Sequence, residues 1–127
     1  MSPYVTLGAK DTSKARTFYD AVLATIGWAG HADFDDWRAY SAGGTGEGFV
    51  CWIVSPFNGE AATAGNGTMV SFPARSPAEV DAFYMTALAH GATDEGAPGP
   101  RKAYGPNWYA AYLRDPTGNK IAVYHNG

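Results

Sequence analysis

Between Lys10 and Ile26 the apolar residues Ala15, Phe18, Tyr19, Val22, Leu23 and Ile26 recur at steps of three and four. That spacing predicts one helix with a single buried stripe. Asp11, Thr12 or Ser13 supplies the N-cap oxygen, and Gly27 suits the closing position. A second helix is predicted over Ser76–His90, with Val80, Phe83, Tyr84, Ala87 and Leu88 as its stripe and Gly91 at its end. It opens on Ser76-Pro77-Ala78-Glu79, a capping box with proline where the missing N–H costs nothing. Tyr4–Leu7, Trp37–Ser41, Phe49–Val54, Thr68–Phe72, Trp108–Arg114 and Lys120–Tyr124 are short and rich in β-branched and aromatic residues, and read as strands. Fainter strand signals lie near His31 and Thr93. Ala42–Gly48 reads as a Gly-rich hairpin connection and Asp115-Pro116-Thr117-Gly118 as a tight turn. Ala97–Asn107 is rich in Gly and Pro and reads as a loop of the kind that caps a site.

The two helices belong to a repeat. Phe18-Tyr19 matches Phe83-Tyr84 at an offset of 65 residues. At the same offset Val5 meets Val70, Thr6 meets Ser71, Leu7 meets Phe72, Ala9 meets Ala74 and Leu23 meets Leu88. Each half continues with a Trp-bearing strand, a Gly-containing turn and an apolar strand. The expectation is an α+β fold of two tandem βαβββ modules, about residues 1–60 and 67–127, within one domain spanning 1–127. Side by side they form a curved, mostly antiparallel sheet, with helices on the convex face and a concave face free for a ligand.

Composition narrows the function classes. With 127 residues and a net charge of −3, the chain has no basic excess for nucleic acid. The single cysteine, Cys51, excludes an intrachain disulfide framework and reads as a buried small hydrophobe. No apolar run is long enough to span a bilayer, and with no basic region followed by an apolar stretch in Met1–Tyr4 no signal peptide is expected. A cytoplasmic protein without nucleic-acid or membrane partners is expected. The glycines of Ala42–Gly48 lack the following Lys and Ser or Thr of a phosphate loop.

Val5-Thr6-Leu7-Gly8 before Ala15–Leu23, Pro56-Phe57-Asn58-Gly59 with Gly65-Asn66-Gly67-Thr68, and Arg114-Asp115-Pro116-Thr117-Gly118-Asn119-Lys120-Ile121 together carry a resemblance. The chain resembles the vicinal oxygen chelate superfamily of glyoxalases, bleomycin resistance proteins and extradiol dioxygenases, and most of all its small bacterial glyoxalase-like members. The resemblance implies a metal site on the concave face, with an open coordination position for substrate. It also implies a homodimer, since family members commonly pair and open sheets leave edges to cover.

Carried over residue by residue, the family's metal-ligand positions fall on Tyr4, Met69, Ala122 and, within one residue, Trp52. A hard divalent ion needs imidazole and carboxylate ligands, so neither a catalytic metal nor another cofactor is expected. His90 ends a helix, His125 has the wrong strand parity, and His31 is left near a pocket mouth. Parity instead points Tyr4, Thr6, Trp52, Met69, Ser71 and Tyr124 into the concavity as ligand-binding residues. Such a lining suits a small aromatic or apolar molecule, or else fills the concavity as core. Arg38, Arg101, Lys102 and Tyr104 are candidate specificity groups, or simply solvated ones. The functional expectation is a metal-free small-molecule binding protein. The alternative is a lyase, isomerase or dioxygenase using an unrecognised metal or tyrosine acid–base chemistry at Tyr4 or Tyr124.

Overall fold

The computed structural model describes residues 3–127. In chain order the elements are β1 (Tyr4–Gly8), α1 (Thr12–Ala24), β2 (Trp28–Phe34), β3 (Trp37–Ala42) and β4 (Val50–Val54). They are followed by β5 (Val70–Pro73), α2 (Pro77–Ala89), β6 (Thr93–Pro100), β7 (Trp108–Arg114) and β8 (Lys120–Asn126). This is an α+β fold of two tandem βαβββ modules. The strand orders are β1-β4-β3-β2 and β5-β8-β7-β6. In each module the first and last strands pair in parallel and the other neighbours antiparallel.

The helices form where the stripes and caps predict them. The Asp11 side chain accepts the Lys14 N–H and the Ser76 side chain the Glu79 N–H, satisfying first-turn donors that the helices leave unpaired. The backbone of Arg75 in turn donates to the Glu79 carboxylate at 2.7 Å. Gly27 and Gly91 follow the helices at φ +79° and +98°, in the left-handed region where glycine carries no Cβ penalty. His90 is the C-cap residue of α2, and its ring contacts the Thr86 carbonyl. Strand β6 corrects one expectation. Ala97–Pro100 is not loop but the end of this strand, paired with β7 through register shifts that let Gly and Pro sit on an edge. The faint signal near His31 becomes the full strand β2.

Each sheet packs one face on the helices, and the two inner faces share one core. Phe18, Val22 and Leu23 of α1 and Val80, Phe83 and Ala87 of α2 join Leu7, Cys51, Phe72, Ile121 and Val123 of the strands. Trp28 meets the edge of Phe72 at 5.4 Å between ring centres, joining the modules through apolar contact. Burial pushes the Cys51 thiol up to about 12, so it is an inert hydrophobe in this core.

A polar clamp lies beside the core. Tyr19 of α1 donates to Asp115 Oδ2 at 2.6 Å. Asp115 Oδ1 accepts the N–H groups of Thr117, Gly118 and Asn119. The Asn119 amide donates to the Gly8 carbonyl at 2.8 Å and to Asp115 Oδ2 at 3.0 Å, and the Lys10 N–H donates to Thr117 Oγ1. The Asp-Pro-Thr-Gly-Asn turn thus ties β7–β8 to β1 and α1. Its buried polar atoms are matched donor to acceptor, which makes the connection specific as well as strong.

Candidate functional site

Pair-mates across a sheet point to the same face, so the register assigns every side chain. Thr6, Trp52 and Ala39 are mates on the outer face of the first sheet, away from α1. Tyr4 joins them from β1, and Phe34 and Trp37 from the β2–β3 hairpin. Tyr4, Thr6, Phe34, Trp37 and Trp52 line a hollow of ≈ 560 Å³. Tyr4 is 68% exposed and Phe34 66%, so these rings are not core. The Phe34 and Trp37 rings meet edge to face at 6.3 Å. Trp37 Nε1 donates to Ser55 Oγ, which donates to Asp36, and this anchors the indole. The hollow adjoins a second of ≈ 400 Å³ through Tyr4 and Trp52, lined also by His31, Gly46, Glu47 and Gly48. Through Thr6 and Trp37 it adjoins a third of ≈ 760 Å³ beneath Phe57, Asn58 and Glu60. The result is an aromatic trough along the first sheet.

The second sheet presents a different outer face. Trp108 lies flat on Tyr124, with ring centres 4.7 Å apart and planes 7° from parallel, and Tyr104 adds its edge to Trp108. Arg101 and Lys120 stand over the Tyr112 ring at 5.5 and 5.8 Å. Ala110 and Ala122 beneath them are buried.

The sequence-derived residues therefore fall into two groups. Tyr4, Thr6 and Trp52 come together in the trough. Met69, Ser71 and Tyr124 lie with the second sheet, and none of the three lines the hollows described above. Phe34 belongs to the trough although sequence reasoning missed it. Its signal was the two-residue Asp35-Asp36 connection ahead of Trp37, with Asp35 at φ +54°.

Two of the four candidate specificity groups, Arg38 and Arg101, are engaged elsewhere. Arg38 lies on the helix face, bonded to Asp20 and Asp33. Arg101 donates to the carbonyls of Ala97, Gly99 and Pro100. Lys102 and Tyr104 are exposed. His125 contacts the Ala74 carbonyl on the helix face. Tyr19 and Tyr40 have phenols pushed well up by burial, and by Asp115 and Asp20 respectively, but both belong to the core.

No protein-family model matches the chain, and no curated protein matches it. Solved structures do. A glyoxalase/bleomycin resistance protein from Albidiferax ferrireducens T118 is 39% identical over 96% of both chains, with a TM-score of 0.86. The chain belongs to the glyoxalase/bleomycin resistance protein family. A glyoxalase/bleomycin resistance protein/dioxygenase family enzyme from Burkholderia phytofirmans PsJN shares the fold at 23% identity and TM-score 0.74, covering 98% of this chain and 97% of its own. A lactoylglutathione lyase from Agrobacterium tumefaciens shares it at 21% identity and TM-score 0.64, covering 96% and 90%.

The resemblance to this glyoxalase/bleomycin resistance family implies a metal, and the residues do not fit one. The resemblance puts the ligands at Tyr4, Met69, Ala122 and, within one residue, Trp52, and these side chains offer one phenol and one thioether. Among the described residues no three or more His, Cys, Asp or Glu gather into a ligand group.

Proposed function

We propose that this glyoxalase/bleomycin resistance family member is a cytoplasmic protein that binds a small, flat, aromatic or apolar molecule without a resident metal. The observation that carries this reading is the open row of Tyr4, Phe34, Trp37 and Trp52 rings on one sheet face. Flat rings bind flat ligands by stacking, and a hollow of ≈ 560 Å³ is of the size small-molecule sites have. The Thr6 hydroxyl and the Tyr4 phenol give the lining polar points that fix orientation.

The trough is open to one side, and two copies pairing about a two-fold axis would cover it. Met69, 44% exposed, Ser71 and Tyr124 belong to the other outer face. They reach the same ligand across such an interface. A homodimer is therefore part of the proposal, and light scattering at micromolar concentration tests it against a monomer mass.

Naphthalene is a suitable probe because it offers a flat ring and no polar atom. Titration should quench the tryptophan fluorescence saturably. Trp52→Ala should weaken binding about tenfold or more, the scale of a lost aromatic contact. Absence of saturable quenching, or unchanged affinity in Trp52→Ala, overturns the binding reading.

A further inference from the structure

One end of the trough carries a group that the aromatic lining does not explain. The register of β2 against β3 slips between Gly30 and Ala32, so His31 is the extra residue of a β-bulge. A bulge re-aims a side chain, and here it brings His31 to the outer face, into the hollow it shares with Tyr4 and Trp52.

The ring is held from behind. Ser41 Oγ lies 2.9 Å from His31 Nδ1 and accepts the Gly46 N–H at 2.9 Å. Ser41 is fully buried, so its hydroxyl hydrogen needs an acceptor. Among the described residues His31 Nδ1 is the acceptor in reach. Nδ1 therefore accepts, and the neutral imidazole carries its hydrogen on Nε2. Gly46 stands against the ring at φ +74°, where an added Cβ would come within 3.2 Å of His31 Cδ2 and 3.4 Å of Nε2. The glycine leaves the Nε2 edge uncovered. Among the described residues Nε2 has no hydrogen-bond partner.

We propose that His31 is a specificity-determining residue, whose Nε2–H donates to an uncharged acceptor such as a carbonyl oxygen on an aromatic ligand in the trough. This rests on the binding reading above. Ser41 is the positioning residue that sets the tautomer. Glu47 lines the same hollow and opposes a carboxylate there, so the ligand class is a flat aromatic ketone, amide or similar carbonyl compound.

The test compares naphthalene, 2-acetylnaphthalene and 2-naphthoate, which share a ring system and differ in the polar group. The wild-type protein should bind 2-acetylnaphthalene about two- to tenfold tighter than naphthalene, the worth of one hydrogen bond. It should also bind it tighter than 2-naphthoate. In His31→Phe that preference, read as the ratio of 2-acetylnaphthalene to naphthalene affinity within the one protein, should vanish. Equal binding of naphthalene and 2-acetylnaphthalene by wild type, a preference that survives in His31→Phe, or tightest binding of 2-naphthoate overturns the assignment and leaves the trough standing. Failure of all three probes to bind overturns the trough and the assignment with it. Nitrogen-15 spectra of the unaltered protein give a readout independent of the variant's folding. The Nε2–H tautomer is expected, with a resonance that moves on adding 2-acetylnaphthalene and not naphthalene. The Nδ1–H tautomer, or a resonance that ignores the ketone, overturns the proposal.

Discussion

The two modules place equivalent residues in different surroundings. Tyr19 and Tyr84 stand at the same position of the repeat, one residue past the middle of their helices. Tyr19 is fully buried and donates to Asp115, itself the centre of a buried network. Tyr84 donates to Asp94 near the surface, at 2.9 Å. The outer faces diverge in the same way. Trp37 and Trp108 both begin the third strand of a module. Trp37 stands over an open trough with its Nε1 satisfied. Trp108 is stacked under Tyr124 and leaves its buried Nε1 without an acceptor among the described residues. One sheet leaves its aromatic face open, and the other covers much of its face with its own side chains. Duplication supplies two similar surfaces, but a few substitutions decide which is filled.

The comparison breaks most sharply at the clamp. Asp115→Ala should cost about 3–5 kcal/mol in urea unfolding, because several buried donors lose their acceptor together. Asp94→Ala should leave the unfolding midpoint almost unchanged. Similar losses in both variants would show that the two tyrosine–aspartate pairs are energetically equivalent, and the asymmetry would be lost.

The outer faces give the next contrast. Trp108→Ala should destabilise by about 2–4 kcal/mol, since it removes a packed ring. Trp37→Ala should cost about 1 kcal/mol or less while weakening naphthalene binding. If Trp37→Ala proves the more damaging to stability, the trough is core and not a site.

Alkaline titration sharpens the first contrast. The Tyr19 phenol is raised above its ordinary value by burial and then by Asp115. The unfolded chain therefore releases this proton more readily than the folded one. The stability tied to Tyr19 is fully present below the ordinary tyrosine value, about 10, and falls as pH rises above it. Tyr40, raised by burial and by Asp20, adds to the same fall. Urea unfolding between pH 9 and 11 should show a steeper decline for wild type than for Tyr19→Phe, and parallel declines would remove Tyr19 from the account.

The smallest expected effect is that of Tyr4→Phe. The Tyr4 phenol is exposed, so the change should alter stability by less than about 0.5 kcal/mol. A larger loss on thermal unfolding would mean that Tyr4 is structural, as Tyr19 is.

Much of this molecule was legible in the linear chain. The helix stripes, the Ser76 capping box and the 65-residue offset led to two βαβββ modules, because periodicity and capping are local properties, while the choice of Asp11 over Thr12 and Ser13 as the first N-cap came from the fold. The family motifs are local too, and the absence of His and Glu from the expected ligand positions is a statement about residue identity alone. Strand parity placed Tyr4, Thr6 and Trp52 on one face, since side-chain alternation needs only the strand. Ala97–Pro100 escaped because Gly and Pro read as loop, and only pairing with β7 makes them strand. What no local pattern contains is the relation between the modules. Packing of both inner faces into one core separated Met69, Ser71 and Tyr124 from the trough residues. The bulge at His31 and the filling of the second sheet's outer face depend on neighbours distant in sequence. Composition and period determine which elements form and which face of each is apolar. Only the tertiary contacts decide which of two like faces stays open, because that depends on what else is at hand to cover it.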